Sequence, residues 1–194
     1  MKSQFWDFFL HLIIKFLFIF AKKTMQPKFP SESVTTLTDL VLPGETNPLN
    51  NLFGGELLAR MDRAASIAAR RHSRRITVTA SVNHVAFNRA IPLGSVVTVE
   101  AKVSRTFNSS MEIYIDVWTE DRESGIRTKA NEAIYTFVAV DETGRPVPVP
   151  PIVPETDLEK ERYVAALRRK QLSLVLAGKM KPSEATELKA LFME

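Results

Sequence analysis

The chain has no cysteine, which excludes disulfides, thiolate metal sites and a cysteine nucleophile, and fits a reducing compartment such as the cytoplasm. It has no internal repeat and no clustered basic stripe: 26 lysines and arginines against 22 aspartates and glutamates leave a net charge of only +4. That excess suits an anionic ligand but falls far short of a nucleic-acid-binding surface. An apolar run able to span a bilayer comfortably is also missing. The longest, Phe5 to Ala21, carries Asp7 and Lys15 inside it and Lys22 and Lys23 behind it, whereas a spanning helix needs about 20 predominantly apolar residues. No A-x-A cleavage pattern follows, which counts against a signal peptide. Residues 1–24 are therefore expected either to be absent from the mature protein, with Met25 as its true start, or to act as a membrane or interfacial anchor that leaves the rest of the chain cytoplasmic.

What is present, 45% hydrophobic and 25% charged over 194 residues, supplies one domain with a sizeable core plus an extension. Residues 25–36, with two prolines and several Ser and Thr, read as a linker into the apolar run Leu37 to Leu42. A dense set of loop formers follows, from Pro43 to Asn51, and Gly54-Gly55 then precedes a helix. Leu57, Leu58, Met61, Ala64, Ala65 and Ala68 recur at spacings of one, three and four, one face of a helix reaching about Arg71. Its small alanines allow it to lie close against a sheet. The period then changes to two. Ile76, Val78, Ala80 and Val82 alternate with Thr and Ser, and two further alternating runs follow, Val97 to Ser104 and Met111 to Trp118, before a last strand from Ala130 to Val140. One helix followed by consecutive strands predicts an antiparallel α+β domain over 37–154, because parallel strands would need crossover helices. The prolines at 146, 148, 150, 151 and 154 form a stiff exit, and 155–194 is expected as a C-terminal helical extension.

Catalytic groups tend to stand where local rules are broken. Asp62 lies four residues after Leu58 and three before Ala65, at the margin of the helix's apolar stripe and well inside the helix, where a capping role is excluded. A carboxylate there would face a partly desolvated cleft, which raises a carboxyl pKa and suits a base or nucleophile; pairing with Arg63 or Arg70 is the plainer reading. Gly54-Gly55 offers unpaired backbone N–H groups at the positive end of the helix, able to receive a carbonyl oxygen as charge develops on it, or serves simply as a bend. Asn47, fifteen residues before Asp62, is a turn former by type.

Taken together, Asn47, Gly54, Gly55, Met61 and Asp62 resemble the signature of the hotdog-fold acyl-CoA thioesterases, nearest to the bacterial YciA-like enzymes and the brain-type acyl-CoA hydrolases: an Asn in a loop, a hydrophobic residue and Gly-Gly, then a helix bearing Met-Asp. The likeness continues through Ile76 to Phe87, Asn108 to Ile113, Tyr135 to Val140 and Val153 to Thr156, so that it spans roughly Thr36 to Arg169. One departure is Asn50, where many members have Gly. The resemblance implies a long central helix wrapped by a strongly curved antiparallel sheet, paired as a homo-oligomer into a dimer or a trimer of dimers, with Asn47 of one subunit facing Asp62 of the other. The implied substrate is acyl-CoA, and coenzyme A is then part of the substrate, with no separate cofactor and no metal.

On this reading the thioester oxygen sits against the Gly55 N–H, with the Glu56 N–H beside it, next to Gly54. Asp62 activates water or attacks to form an anhydride, and Asn47 orients water or carbonyl. Arg70, Arg71, Arg74 and Arg75, with Ser109 and Ser110, are candidates for the nucleotide phosphates; the arginines could equally be a solvated helix end. A hotdog dehydratase is disfavoured because no His falls within the motif. A non-catalytic acyl-CoA-binding module with a regulatory or assembly role stays open, weakened by Asp62 and Asn47 and by the lack of a helix-turn-helix pattern in 1–36. His72 and His84 are expected to be structural or exposed.

Overall fold

The computed structural model describes residues 25–121 and 124–192; the expectations for residues 1–24 lie outside this range. Five strands, β1 (Thr35–Leu40), β2 (Ile76–Ala86), β3 (Val96–Thr106), β4 (Ser110–Glu120) and β5 (Arg127–Val140), form one sheet in the order β1-β3-β4-β5-β2. Each pair is antiparallel. The central helix α1 (Gly54–Ser73) lies on one face, and α2 (Asp157–Leu176) lies on the other, followed by a short α3 (Thr186–Ala190).

The alanine stripe does what its size permits. Ala64, Ala65, Ala68 and Ala69 are fully buried with Met61 against Val99, Val103, Ile113, Ile115 and Phe137, so the helix axis can approach the sheet closely. Met61 has no exposed surface, and burial of such a side chain contributes about 1.5–3 kcal/mol. The alternation seen in sequence holds through β3, where Val97, Val99, Ala101 and Val103 face the core.

Two stretches depart from expectation. Residues 25–36 are not a free linker. Lys28 pairs with Ile152, Pro30–Ser33 form a turn of 3-10 helix, and Thr35 already begins β1. The cause is a set of side-chain bonds that periodicity does not reveal: the buried Ser33 Oγ accepts from Val103 N–H at 3.0 Å, and Lys28 Nζ donates to the His72 carbonyl at 2.8 Å, closing the end of α1. The second is β2, whose register to β5 shifts between Thr79 and Ser81 and again between Val82 and His84. Ile76, Val78 and Val82 are about half exposed there, along an edge that, among the described residues, pairs only with β5.

The C-terminal extension packs on the outer face of the sheet. Thr156 and Glu159 form a reciprocal cap on α2. Lys102 donates to Glu159 at 2.9 Å, Arg162 to Asp116 at 2.9 Å and Arg169 to Glu112 at 2.8 Å, while Arg162 stacks over the Tyr114 ring at 3.6 Å. Glu112 is buried and also accepts from Ser104 Oγ at 2.7 Å, so losing its arginine would leave a buried carboxylate with only that hydroxyl as partner.

Candidate active site

At the middle of α1, Asp62 is half-buried and its Oδ1 accepts a hydrogen bond from Thr79 Oγ1 at 2.8 Å. Among the described residues no cation comes within ion-pair distance of it, so the pairing with Arg63 or Arg70 is not the arrangement observed. Beneath it lies Tyr135, 1% exposed, with its hydroxyl donating weakly to the Leu58 carbonyl at 3.4 Å. Burial, and then the negative charge of Asp62, push the Tyr135 phenol up to about 12, so it stays protonated at neutral pH. Sequence reasoning missed Thr79. The alternation of β2 groups it with the polar residues expected toward solvent, whereas in the fold it faces the helix, and the register shift after it lets Val82 and Val85 follow on that face opposite Tyr135 and Ala133.

The N-terminal end of α1 is shaped by the preceding loop. Asn50 adopts φ of +57°, the left-handed conformation that Gly supplies most easily and Asn tolerates; this accounts for Asn at the one position where the chain departs from the pattern it resembles. Asn47 anchors the turn: its N–H donates to the Asn51 carbonyl at 2.8 Å, and its Oδ1 accepts from Leu49 and Asn51 N–H at 2.9 and 3.2 Å. With the oxygen so engaged, the side-chain amide nitrogen is the end left to act outward. Phe53, the residue before the helix, makes no side-chain cap, so the first N–H groups, those of Gly54, Gly55 and Glu56, have no intrahelical partner. A Cβ on Gly54 would touch the Phe87 ring at 3.6 Å, and one on Gly55 would press the Phe53 ring at 3.3 Å. A cleft of about 410 Å³ opens here, lined by Asn47, Gly54, Leu57, Phe87, Arg89 and Asn131.

At the other end, Arg70, Arg71, Arg74 and Arg75 line an open trough of about 870 Å³ together with Ile67 and Ile76. Its rim also carries Asp141 and Glu142, which temper the positive charge. Arg71 is partly committed, since its Nη1 donates to the Val34 carbonyl and to Thr35 Oγ1. Ser110 opens β4 opposite Val138, and Ser109 precedes it, which puts both at this end of the sheet. The expected site residues thus fall into three groups along α1: Asn47, Gly54, Gly55 and Glu56 at its start, Asp62 in the middle, and the arginines with Ser109 and Ser110 at its end. Asp62 is eight residues beyond Gly54, about 12 Å along the axis at 1.5 Å per residue. Among the described residues the bonds of Asn47 stay within its own loop and that of Asp62 goes to Thr79, so no hydrogen bond joins the two within one subunit. Among the described residues no cluster of three or more His, Asp or Glu is arranged to hold a metal ion, and no helix is long and apolar enough to cross a membrane.

This arrangement, a helix within a five-stranded antiparallel sheet and a carboxylate at mid-helix, has close counterparts. The model of the thioesterase superfamily matches residues 49–126. A Bacillus subtilis protein described as an uncharacterized acyl-CoA thioester hydrolase is 42% identical over 147 residues, covering 76% of this chain and 86% of that one. Among solved structures, an apo-hexameric acyl-CoA thioesterase superposes with a TM-score of 0.76 at 38% identity, over 79% of this chain and 98% of the other. The chain belongs to the thioesterase superfamily, as one of its hotdog-fold acyl-CoA thioesterases.

A third relative bears on individual residues. A Staphylococcus aureus acyl-CoA hydrolase variant superposes with a TM-score of 0.75 at 33% identity, over 81% of this chain and 97% of that one. Variants of that enzyme have been solved with alanine replacing an aspartate, an asparagine fifteen positions before it, and a threonine seventeen positions after it. Those are the spacings of Asn47, Asp62 and Thr79 here.

Proposed function

We propose that the protein hydrolyses acyl-coenzyme A to free acid and coenzyme A at a site built from two subunits, with Asp62 as its central carboxylate. The observation that carries the reading is the half-buried Asp62 held by Thr79 on the same helix whose uncapped start bears Gly54 and Gly55. With Oδ1 taken by Thr79, the second oxygen is free to draw a proton from water or to attack the carbonyl carbon. In either course the carbonyl π electrons move onto oxygen, where the Gly55 and Glu56 N–H groups meet the developing charge. Collapse of the tetrahedral species then breaks the C–S bond. On the water route the proton drawn off by Asp62 passes to the departing thiolate of coenzyme A. On direct attack the acyl group stays on Asp62 as an anhydride, which a water molecule cleaves to release the free acid, restore the carboxylate and supply the thiolate's proton. Asn47 orients the water or the carbonyl through its amide nitrogen.

The composite site is supported by the lack of a hydrogen bond between Asn47 and Asp62 within one subunit among the described residues, and by the half-exposed apolar residues along the β2 edge, which a second copy would cover. Pairing two such edges antiparallel sets the two central helices antiparallel as well, so that the start of one meets the middle of the other. It also brings Arg70, Arg74 and Arg75 of one subunit toward the Asn47 loop of its partner, where the phosphates of the nucleotide would lie with Ser109 and Ser110. The homo-oligomer is then a dimer or a trimer of dimers, in keeping with relatives described as hexameric.

The test is thiol release from a chain-length series of acyl-CoA substrates. Asp62→Asn should lower kcat by about two orders of magnitude or more, on the order of 3 kcal/mol in barrier, with assembly intact. Retention of more than about a tenth of wild-type turnover would overturn the assignment.

A further inference from the structure

The buried face of α1 contains one full charge. Arg60, 4% exposed, stands three residues after Leu57 and four before Ala64, both buried. A single one of its nitrogens, Nη2, donates to the Leu40 carbonyl at the end of β1 at 2.9 Å and to both carboxylate oxygens of Glu45 at 2.9 and 2.8 Å. Its Nε and Nη1 are buried with no hydrogen-bond partner among the described residues. An apolar side chain of similar length would fill this slot without leaving two donors unsatisfied, so stability alone is a poor reason for arginine here.

Glu45 carries the grip outward. Its carboxylate also accepts the Leu42 N–H at 2.8 Å, and its backbone carbonyl accepts the N–H of Phe53, the residue on which α1 begins, at 2.8 Å. The two ends of the loop, Leu42 and Phe53, are thus fastened to one residue, and that residue to Arg60. The tip, Asn47 to Asn51, is closed by its own bonds and rests on the 92–93 turn, where the Asn50 carbonyl accepts the Leu93 N–H at 2.9 Å. Arg60 lies two residues before Asp62 on the same turn of helix. The Leu42 N–H first, and the guanidinium next, hold the Glu45 carboxyl below the usual carboxylate range, so the pair remains charged at neutral pH.

We infer that the Glu45–Arg60 pair is a positioning element of the active site: it locks the loop bearing Asn47 to the helical turn bearing Asp62. This rests on the proposed roles of those two residues. In a two-fold dimer each subunit gives Asn47 to one site and Asp62 to the other, so a loop fixed to the helix keeps both sites in register at once. Displacement by about 1 Å of a group that orients the reactants can cost up to about a hundredfold in rate.

The experiment compares Arg60→Leu, Arg60→Lys, Asn47→Ala, the double variant Asn47→Ala/Arg60→Leu, and Asp62→Asn by steady-state thiol release with the best acyl-CoA of the chain-length series. Arg60→Leu should lower kcat by about tenfold or more while KM changes less than about twofold and the melting temperature does not fall, and Arg60→Lys should recover part of the loss. In the Asn47→Ala background the second change should add nothing, because Arg60 acts through Asn47. Full kcat in Arg60→Leu, or losses that multiply in the double variant, would overturn the inference. Should Arg60→Leu fail to fold, Glu45→Gln decides, since it keeps the Leu42 bond but removes the charge: a kcat loss with KM held supports the role, and none refutes it. Asp62→Asn separates the two claims. If it stays active the site itself is misassigned, whereas an inactive Asp62→Asn beside a fully active Arg60→Leu removes only the positioning role.

Discussion

Thr79 and Asp62 meet at 2.8 Å across the gap between β2 and the middle of α1, the hydroxyl donating to a carboxylate with no cation beside it among the described residues. On the proposed assignment, a hydroxyl that holds one carboxylate oxygen leaves the other for the substrate, and a hydrogen bond to a charged group is worth roughly 1.5–3 kcal/mol. Thr79→Val keeps the shape and removes the bond. It should lower kcat on the order of tenfold, with a smaller change in KM, in the same thiol-release assay; unchanged kcat would make the contact incidental.

A shared site predicts complementation. Asn47→Ala and Asp62→Asn, each nearly inactive alone, should regain activity when their subunits are mixed, because in a mixed dimer both lesions can fall in one site and leave the other whole. A statistical mixture should recover roughly a quarter of wild-type activity, half the dimers being mixed and each having one intact site of two. Absence of recovery after verified subunit exchange would put both residues to work within a single subunit, or leave one of them without a role.

Gly55 offers a test that separates folding from chemistry. A Cβ there would meet the Phe53 ring at 3.3 Å, but Phe53 is exposed and free to move aside, and alanine favours a helix over glycine. Gly55→Ala should therefore hold or slightly raise the melting temperature while lowering kcat, since the methyl group obstructs close approach of the thioester to the backbone. Equal activity would argue against an oxyanion role for this helix end.

His72 is wholly buried, with Nε2 hydrogen-bonded to the Pro150 carbonyl at 2.8 Å and Nδ1 without a partner among the described residues. Burial holds its pKa below the ordinary 6.5, outweighing the bond to Pro150. A depressed folded-state pKa means that the unfolded chain binds the proton more readily. Its stabilising contribution is thus full above about pH 6.5 and is lost as pH falls through the lower folded value. Urea midpoints between pH 7.5 and 5 should fall for the wild type and fall less for His72→Gln; parallel curves would show that other groups set the acid limit.

The wrapped helix and the strand periods are written in the sequence because burial imposes them: the alanine stripe of α1 and the alternation of β3 have no other use. Asn50 could be read only once its φ was known. Thr79 escaped notice because β2 is an edge strand with two register shifts, so its apolar and polar residues do not sort cleanly into inner and outer faces. Arg60 did leave a signal. It occupies a stripe position as plainly as Met61 does, yet arginine is so commonly a surface residue that its place at three after Leu57 is easily passed over. Its partner Glu45 is fifteen residues away in a loop, and only the folded chain brings them together.

The linear arrangement along α1 also bears on what can be bound. Arg70 and Arg71 stand eight and nine positions beyond Asp62, about 12–14 Å along the axis, and Arg74 and Arg75 follow just past the end of the helix. On the proposed assignment the helix behaves as a ruler: a ligand reaches carboxylate and guanidinium groups together only if its anionic end is that far from its reactive bond. A truncated thioester that ends soon after sulfur can present its carbonyl to Asp62 but leaves the basic trough empty, so it would be turned over slowly at any concentration at which the full-length molecule saturates.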